Sequence, residues 1–216
     1  MRQRAMCAFL MIVIALTAAG VTDAQELETV TLPKPDLTGS VPLMRALSER
    51  QTSREFDSRE LSADILSNLL WAAFGINRPD SGRRTAPSAM NWQETDIYVV
   101  TAKGTYLYDP KAHALTPHVS GDLRALTGQQ GFVGTAPINL VYVADLSKMG
   151  SAPEAHLENI AFADTGFIGQ NVYLYCASAG LATVVRGLID KPALAEALKL
   201  RPEQRITLAQ TIGYPK

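Results

Sequence analysis

Arg50, Thr52 and Arg54, in the run Arg50-Gln51-Thr52-Ser53-Arg54-Glu55-Phe56, set two guanidinium groups around a hydroxyl residue. Guanidinium makes charge-assisted, often bidentate hydrogen bonds to phosphate oxygens, so this spacing suits an organic phosphate. Two solvated cations at a helix end would give the same pattern, because surface arginines are common. Further along, Pro87-Ser88-Ala89-Met90-Asn91-Trp92-Gln93 combines backbone donors with two amide side chains. Such a loop is able to hydrogen-bond the edge of a flat heterocycle. Met90 taken alone reads as a core filler, and Gln93 as a brace for the turn.

Other chemistries lack their residues. The chain contains no Gly-x-Ser-x-Gly, Ser-x-x-Lys, Cys-x-x-Cys or His-Glu-x-x-His, and no phosphate loop ending in Gly-Lys-Ser/Thr. His113, His118 and His156 stand in polar or loop contexts without a partner at ligand spacing, so solvated surface roles are expected for them. Gly128, Gly131 and Gly134 punctuate a loop, spaced wrongly for a dinucleotide fingerprint. A reaction carried by a cofactor fits these gaps. The protein then supplies binding, orientation and electrostatics and needs no acid, base or nucleophile of its own.

Several elements must position these residues. Pro42 suits the first turn of a helix running out near Arg50, with Leu43 and Leu47 on its apolar edge. A second helix is expected from Ser62, its N-cap, to Gly75, with Ile65, Leu66, Leu69, Leu70 and Ala73 at helical spacing. Residues 97–100 and 105–108 read as a hairpin turning at Lys103-Gly104, and residues 112–119 as a further short strand. A helical turn or two is expected at 122–126 and a buried strand at 138–143. Residues 155–179 form the longest helix, closed by Gly180 and apolar or small on nearly every face. That pattern predicts burial on all sides, which in a chain this size calls for a second subunit. A strand at 181–185, a helix at 192–200 and a strand at 205–212 complete the chain. Irregular alternation with antiparallel hairpins makes the fold class α+β.

Residues 1–24 carry Arg2 and Arg4, an apolar stretch from Cys7 to Ala19, and small residues near Ala24. This is the layout of a cleaved secretory signal peptide, too short for a comfortable membrane span. Residues 25–40 then read as an extended lead-in and 41–216 as one domain, placed in the periplasm or secreted. The net charge of −1 falls to about −2 once the leader's single positive excess is removed. No concentrated basic surface points to nucleic acid. Cys176 is the only cysteine left and sits in an apolar helical stretch, where core packing is the expected role.

The two opening motifs are joined by Gly166, Gln170-Asn171 and Leu174, by Gly180-Leu181-Ala182-Thr183-Val184-Val185-Arg186-Gly187, and by Ile212-Gly213-Tyr214-Pro215. In that order they resemble the FMN-dependent nitroreductase family, nearest the branch that oxidises azoline rings in peptides. The resemblance implies a nitroreductase-like fold: a central mixed or antiparallel sheet flanked by helices, with the long buried helix at a homodimer interface. It implies FMN as cofactor. Arg50 and Thr52 would contact the ribityl phosphate, with Gln51 beside them and Arg54 at the phosphate or ring edge. Pro87, Ser88, Ala89 and Met90 would pass over the ring edge and Asn91 would give an amide contact. Val185, Arg186 and Gly187 would offer backbone donors to flavin N5 and O4, and Gln129 would reach the dimethylbenzene side or the substrate. Gln51 stands where the family often has a basic residue. Lys216 either replaces the family's basic tail or leaves the phosphate held less tightly. The implied reaction is ping-pong transfer through flavin N5 on a small organic, quinone or peptide substrate. An exported member is cut off from NADH and NADPH, so it is expected either to oxidise a small substrate or peptide itself or to draw electrons from a membrane quinol or carrier protein. A flavin- or ligand-binding protein without turnover is the alternative.

Overall fold

Eight consecutive residues of Ile138–Asp145 are buried, which makes this strand the spine of the molecule. In the computed structural model, which describes residues 26–38 and 41–216, it is the fifth strand of a seven-stranded sheet and is paired on both sides. The strands are β1 (Val30–Thr31), β4 (Thr95–Thr101), β5 (Gly104–Asp109), β6 (Ala114–Ser120), β7 (Ile138–Asp145), β8 (Ala182–Arg186) and β9 (Gln204–Gly213). β2 (Ile76–Arg78) and β3 (Arg83–Arg84) form a separate small hairpin. The sheet order is β1-β6-β5-β4-β7-β9-β8, and all its pairings are antiparallel. The expected choice between a mixed and an antiparallel sheet is thereby decided. Of the extended lead-in, Val30–Thr31 joins the sheet edge against Ala114 and Leu115. The leader read over residues 1–24 lies outside the described residues.

Alternation along β4 explains the two layers. Ile97 and Val99 face one side and pack with α2 (Ala63–Phe74) and α3 (Glu154–Ala179) through Leu69, Leu70, Ile168 and Val172. Tyr98 and Val100 face the other side and meet Leu194 and Leu198 at α4 (Lys191–Ala197). Side chains of a strand alternate between faces, so one covered on both sides is apolar at consecutive positions, as residues 97–100 are. Short α1 (Leu43–Glu49) packs on α3. The Ser62 hydroxyl accepts the Ile65 amide at the start of α2, and Gly75 closes that helix.

α3 departs from expectation in one respect. Its buried stripe, including Leu157, Ala161, Ile168, Val172 and Cys176, recurs at helical spacing against the sheet. The opposite face stays open in the single chain, with Phe162 and Phe167 39% and 50% exposed. Gly180 ends the helix at φ +68°, a left-handed conformation that glycine takes without a Cβ clash.

Candidate functional site

After α1 the chain runs extended along the free edge of β8. The Ser53 amide donates to the Thr183 carbonyl at 3.0 Å, the Asp57 amide to Tyr214 at 2.9 Å, and Phe56 bridges Pro215. The arginine motif and the chain's last residues, far apart in sequence, are thus side by side. One side chain of α3 ties them together. The Tyr173 hydroxyl accepts the Val185 amide at 3.0 Å and lies 3.1 Å from Thr52 Oγ1. Its proton is therefore free to donate to Thr52. The Arg50 guanidinium sits 5.4 Å from the Tyr173 ring centroid, a cation–π contact. A cleft of about 290 Å³ opens here, lined by Gln51, Ser53, Tyr173, Thr183 and Pro215 among others. Arg50, Arg54 and Lys216 have no carboxylate partner among the described residues. Arg54 and Lys216 are exposed.

Three backbone donors were expected at the end of β8, and the structure distinguishes them. The Val185 amide is already engaged by Tyr173. Thr183 and Val185 point their backbone groups to the free edge, so Val184 and Arg186, of the opposite parity, turn theirs toward β9, where Arg186 pairs with Ala209. Gly187 alone carries an amide without an acceptor among the described residues. Gln129 is exposed and joins this corner through its amide, which donates to Leu188 at 3.2 Å.

The Arg186 side chain does something sequence reasoning did not foresee. It is buried, and donates to the Thr127 carbonyl at 2.6 Å, Asn139 Oδ1 at 2.9 Å and Thr211 Oγ1 at 3.1 Å. All these acceptors are neutral. Burial draws its pKa down to about 10, because desolvation disfavours the charged form. Gly128 is required beside it: a Cβ there would fall 2.0 Å from Arg186 Nη1.

Residues 87–93 form a separate, tightly braced loop. The Ser88 hydroxyl accepts the Gln93 amide at 3.0 Å. Gln93 Nε2 donates to the Gly82 carbonyl and to Asn91 Oδ1, both at 3.1 Å, while Arg84 Nε donates to Gln93 Oε1 at 2.8 Å. Gln93 therefore braces the turn, with Arg84 as a support the sequence did not single out. Met90, Asn91 and Gln93 all take positive φ, at 51°, 56° and 50°. Such residues are uncommon and persist where their surroundings over-determine them. Met90 is 83% exposed, which rules out its reading as a core filler. Pro87 and Asn91 are exposed as well, and Ser88 and Ala89 half-buried.

Beneath this loop lie two carboxyl groups, Glu94 and Asp164. Asp164 Oδ2 accepts the Ala89 amide at 2.8 Å. Glu94, fully buried, receives the Thr95 hydroxyl at 3.4 Å on Oε1, while Oε2 has no partner. Burial foremost, and with it the facing Asp164 carboxylate, pushes the Glu94 carboxyl up to about 7. The signal for this pair was in the sequence: Asp164 interrupts an apolar helix face and Glu94 precedes a buried strand.

Two histidines are structural rather than solvated. The Ser67 hydroxyl donates to the Pro33 carbonyl and so receives His113 Nε2–H at 2.7 Å, leaving Nδ1 to accept from Tyr108 at 3.0 Å. His118 Nε2 lies 2.6 Å from the Leu198 carbonyl; His156 is exposed. Burial pushes the Cys176 thiol well above its usual range, in keeping with a core role. A larger cleft, about 680 Å³ between Leu61, Tyr106, Leu115 and Ile138, contains none of the motif residues. Chemistry, not volume, identifies the candidate site.

An antiparallel sheet flanked by helices, with a cationic, amide-bearing edge beside a long helix, defines an α+β scaffold suited to holding an anionic ligand. The chain belongs to the Nitroreductase family, whose model matches residues 47–214. A provisionally named nitroreductase of Methanocaldococcus jannaschii is 29% identical over 184 residues, covering 81% of this chain and 92% of its own. The crystal structure of a nitroreductase homologue from Ralstonia eutropha JMP134 is 44% identical, covers 92% of this chain and 93% of that one, and superposes with a TM-score of 0.83. A Desulfovibrio desulfuricans structure solved in complex with FMN shares the fold at 22% identity and a TM-score of 0.59, covering 82% of this chain and 87% of that one.

Proposed function

We propose that the chain is an FMN-dependent oxidoreductase that works outside the cytoplasm and holds its cofactor between two copies. The observation that carries the reading is the Thr52–Tyr173–Val185 connection, which joins the arginine motif to the end of β8. The residues fit the group. Arg50, Arg54 and Lys216 are cations without internal carboxylate partners, and Thr52 offers a hydroxyl, as a phosphate requires. Among the described residues the Gly187 amide lacks an acceptor, as a donor aimed at a ring atom would. FMN, when bound, supplies hydride or electron transfer in two half-reactions. The protein's share is to bind the phosphate, to hold an N–H where charge develops, and to limit access of water.

Two copies reconcile one distance. The loop at 87–93 hangs from Asp164, while the arginine motif meets Tyr173, nine residues or roughly 13 Å further along α3. A second copy packed on the open face around Phe162 and Phe167 would cover that apolar surface and bring in its own loop. Pro87, Ser88, Ala89, Met90 and Asn91 would then complete a site begun by Arg50, Gln51, Thr52, Arg54, Gln129 and Gly187. Within the family the motifs lie nearest the azoline-oxidising branch, so the substrate class is a small organic molecule, a quinone or a peptide. The leader-like residues 1–24 support export, and export favours a membrane quinol or carrier protein over NAD(P)H as electron source.

Titration of the full chain with FMN tests the reading. Arg50→Ala should weaken binding roughly 10- to 150-fold, the ~1.5–3 kcal/mol of a charged hydrogen bond. Absence of binding by the unaltered chain sinks the proposal. Anaerobic reduction followed by saturable reoxidation with a quinone separates an enzyme from a carrier.

A further inference from the structure

Three observations converge on the floor of the 87–93 loop. Asp164, from the middle of α3, accepts the Ala89 amide. Glu94, at the foot of β4, is fully buried with one carboxyl oxygen unpartnered and faces Asp164. Between them the loop carries three non-glycine residues in left-handed conformations. A carboxylate oxygen buried without a donor is costly unless it carries a proton. Two carboxyl groups at one dry spot hold a single proton between them more readily than two charges.

We propose that Glu94 holds a proton against the Asp164 carboxylate, the two acting as positioning residues that set the conformation of residues 88–92 through the Ala89 amide and make that loop respond to pH. With the proton in place, Glu94 donates to Asp164, which keeps Oδ2 for the Ala89 amide. As pH rises the proton leaves to solvent, and two like charges face each other in a low-dielectric pocket. Neither a 26-residue helix nor a strand paired on both sides moves easily; the strained loop does. Among the described residues no cation is paired with either carboxyl. On the elements around the pair, Glu158 of α3 is bonded to Arg205 of β9, and Asp145 of β7 to Arg201 and Ser147. Asp96 of β4 is paired with Lys148, and Arg84 is occupied by Gln93 and the Phe74 carbonyl.

The test needs no cofactor. In the full chain, proton–nitrogen correlation spectra would follow the Ala89 amide and the Trp92 indole, one of only two tryptophans, as a function of pH. Both signals are expected to move together with a midpoint near 7. Glu94→Gln, which keeps a donor toward Asp164 and removes the proton, should abolish that transition. Asp164→Asn should keep the Ala89 contact and move the midpoint to lower pH, since the like charge is gone. The same transition in Glu94→Gln, an unmoved midpoint in Asp164→Asn, or no transition in the unaltered chain would overturn the proposal. The functional consequence rests on the loop's contact with FMN: affinity should change through the same pH range and be flat in Glu94→Gln. A loop that titrates while FMN fails to bind refutes the cofactor assignment and leaves the pair standing.

Discussion

Tyr173→Phe removes one oxygen and thereby tests how the arginine motif is fixed to β8. The hydroxyl makes two contacts, 3.0 Å from the Val185 amide and 3.1 Å from Thr52 Oγ1. They are not equal. Thr52 is exposed and exchanges its lost partner for water, a loss of near zero to about 0.5 kcal/mol. Val185 is half-buried, so its amide is left short of a partner at roughly 1–2 kcal/mol. The expected total is about 2 kcal/mol, or roughly 4–8 °C in melting temperature for a domain of this size. The phenyl ring persists, so the Arg50 contact at 5.4 Å persists too. Urea unfolding of the cofactor-free chain gives the loss directly. A Thr52→Val, Tyr173→Phe cycle should show coupling below about 1 kcal/mol. An unchanged urea midpoint in Tyr173→Phe would refute the claim that this hydroxyl carries the junction. The variant also bears on the cofactor, because it frees the Val185 amide. FMN affinity that rises despite lower stability would identify Val185 as a second donor.

Two other perturbations follow from buried groups. Glu94 has a folded pKa of about 7 against an ordinary 4.5, so the folded state binds the proton more tightly. Stability from this group is full below the ordinary value and is lost as pH rises through 7, at most about 3 kcal/mol. Melting temperatures of the unaltered chain should therefore fall between acid and alkaline pH relative to Glu94→Gln, and parallel curves would count against the burial argument. Gly128→Ala would drive a methyl to 2.0 Å from Arg186 Nη1 and 2.7 Å from Gln130 Oε1. Overpacking of this kind costs about 1–3 kcal/mol, read as a lower denaturant midpoint; full retention of stability would show that Arg186 has room to move.

The comparison between motif and molecule is most instructive at particular residues. Ser62 and Gly75 bound α2 as read from their types, and the largely apolar runs at 97–100 and 138–143 announced strands, the second of them buried. Local preferences decide such features, so they are legible in the chain. The nearness of Thr52 to Tyr173, 121 positions away, is not. Nor is the parity of β8, which turns the Val185 and Arg186 amides in opposite directions and leaves Gly187 as the donor without an acceptor.

Asp164 shows the divide most plainly. As a residue type it was visible as an acid in an apolar helix, yet its role depends on Glu94 arriving from another element and on Ala89 donating to it. The order of apolar and polar residues along the chain dictates which segments become helices and strands and which faces they hide, because burial and backbone hydrogen bonding act over a few neighbouring positions. Which amide is left over, which cation is desolvated and which two acids share a pocket are settled by contacts between distant segments, and those exist only once the sheet has closed.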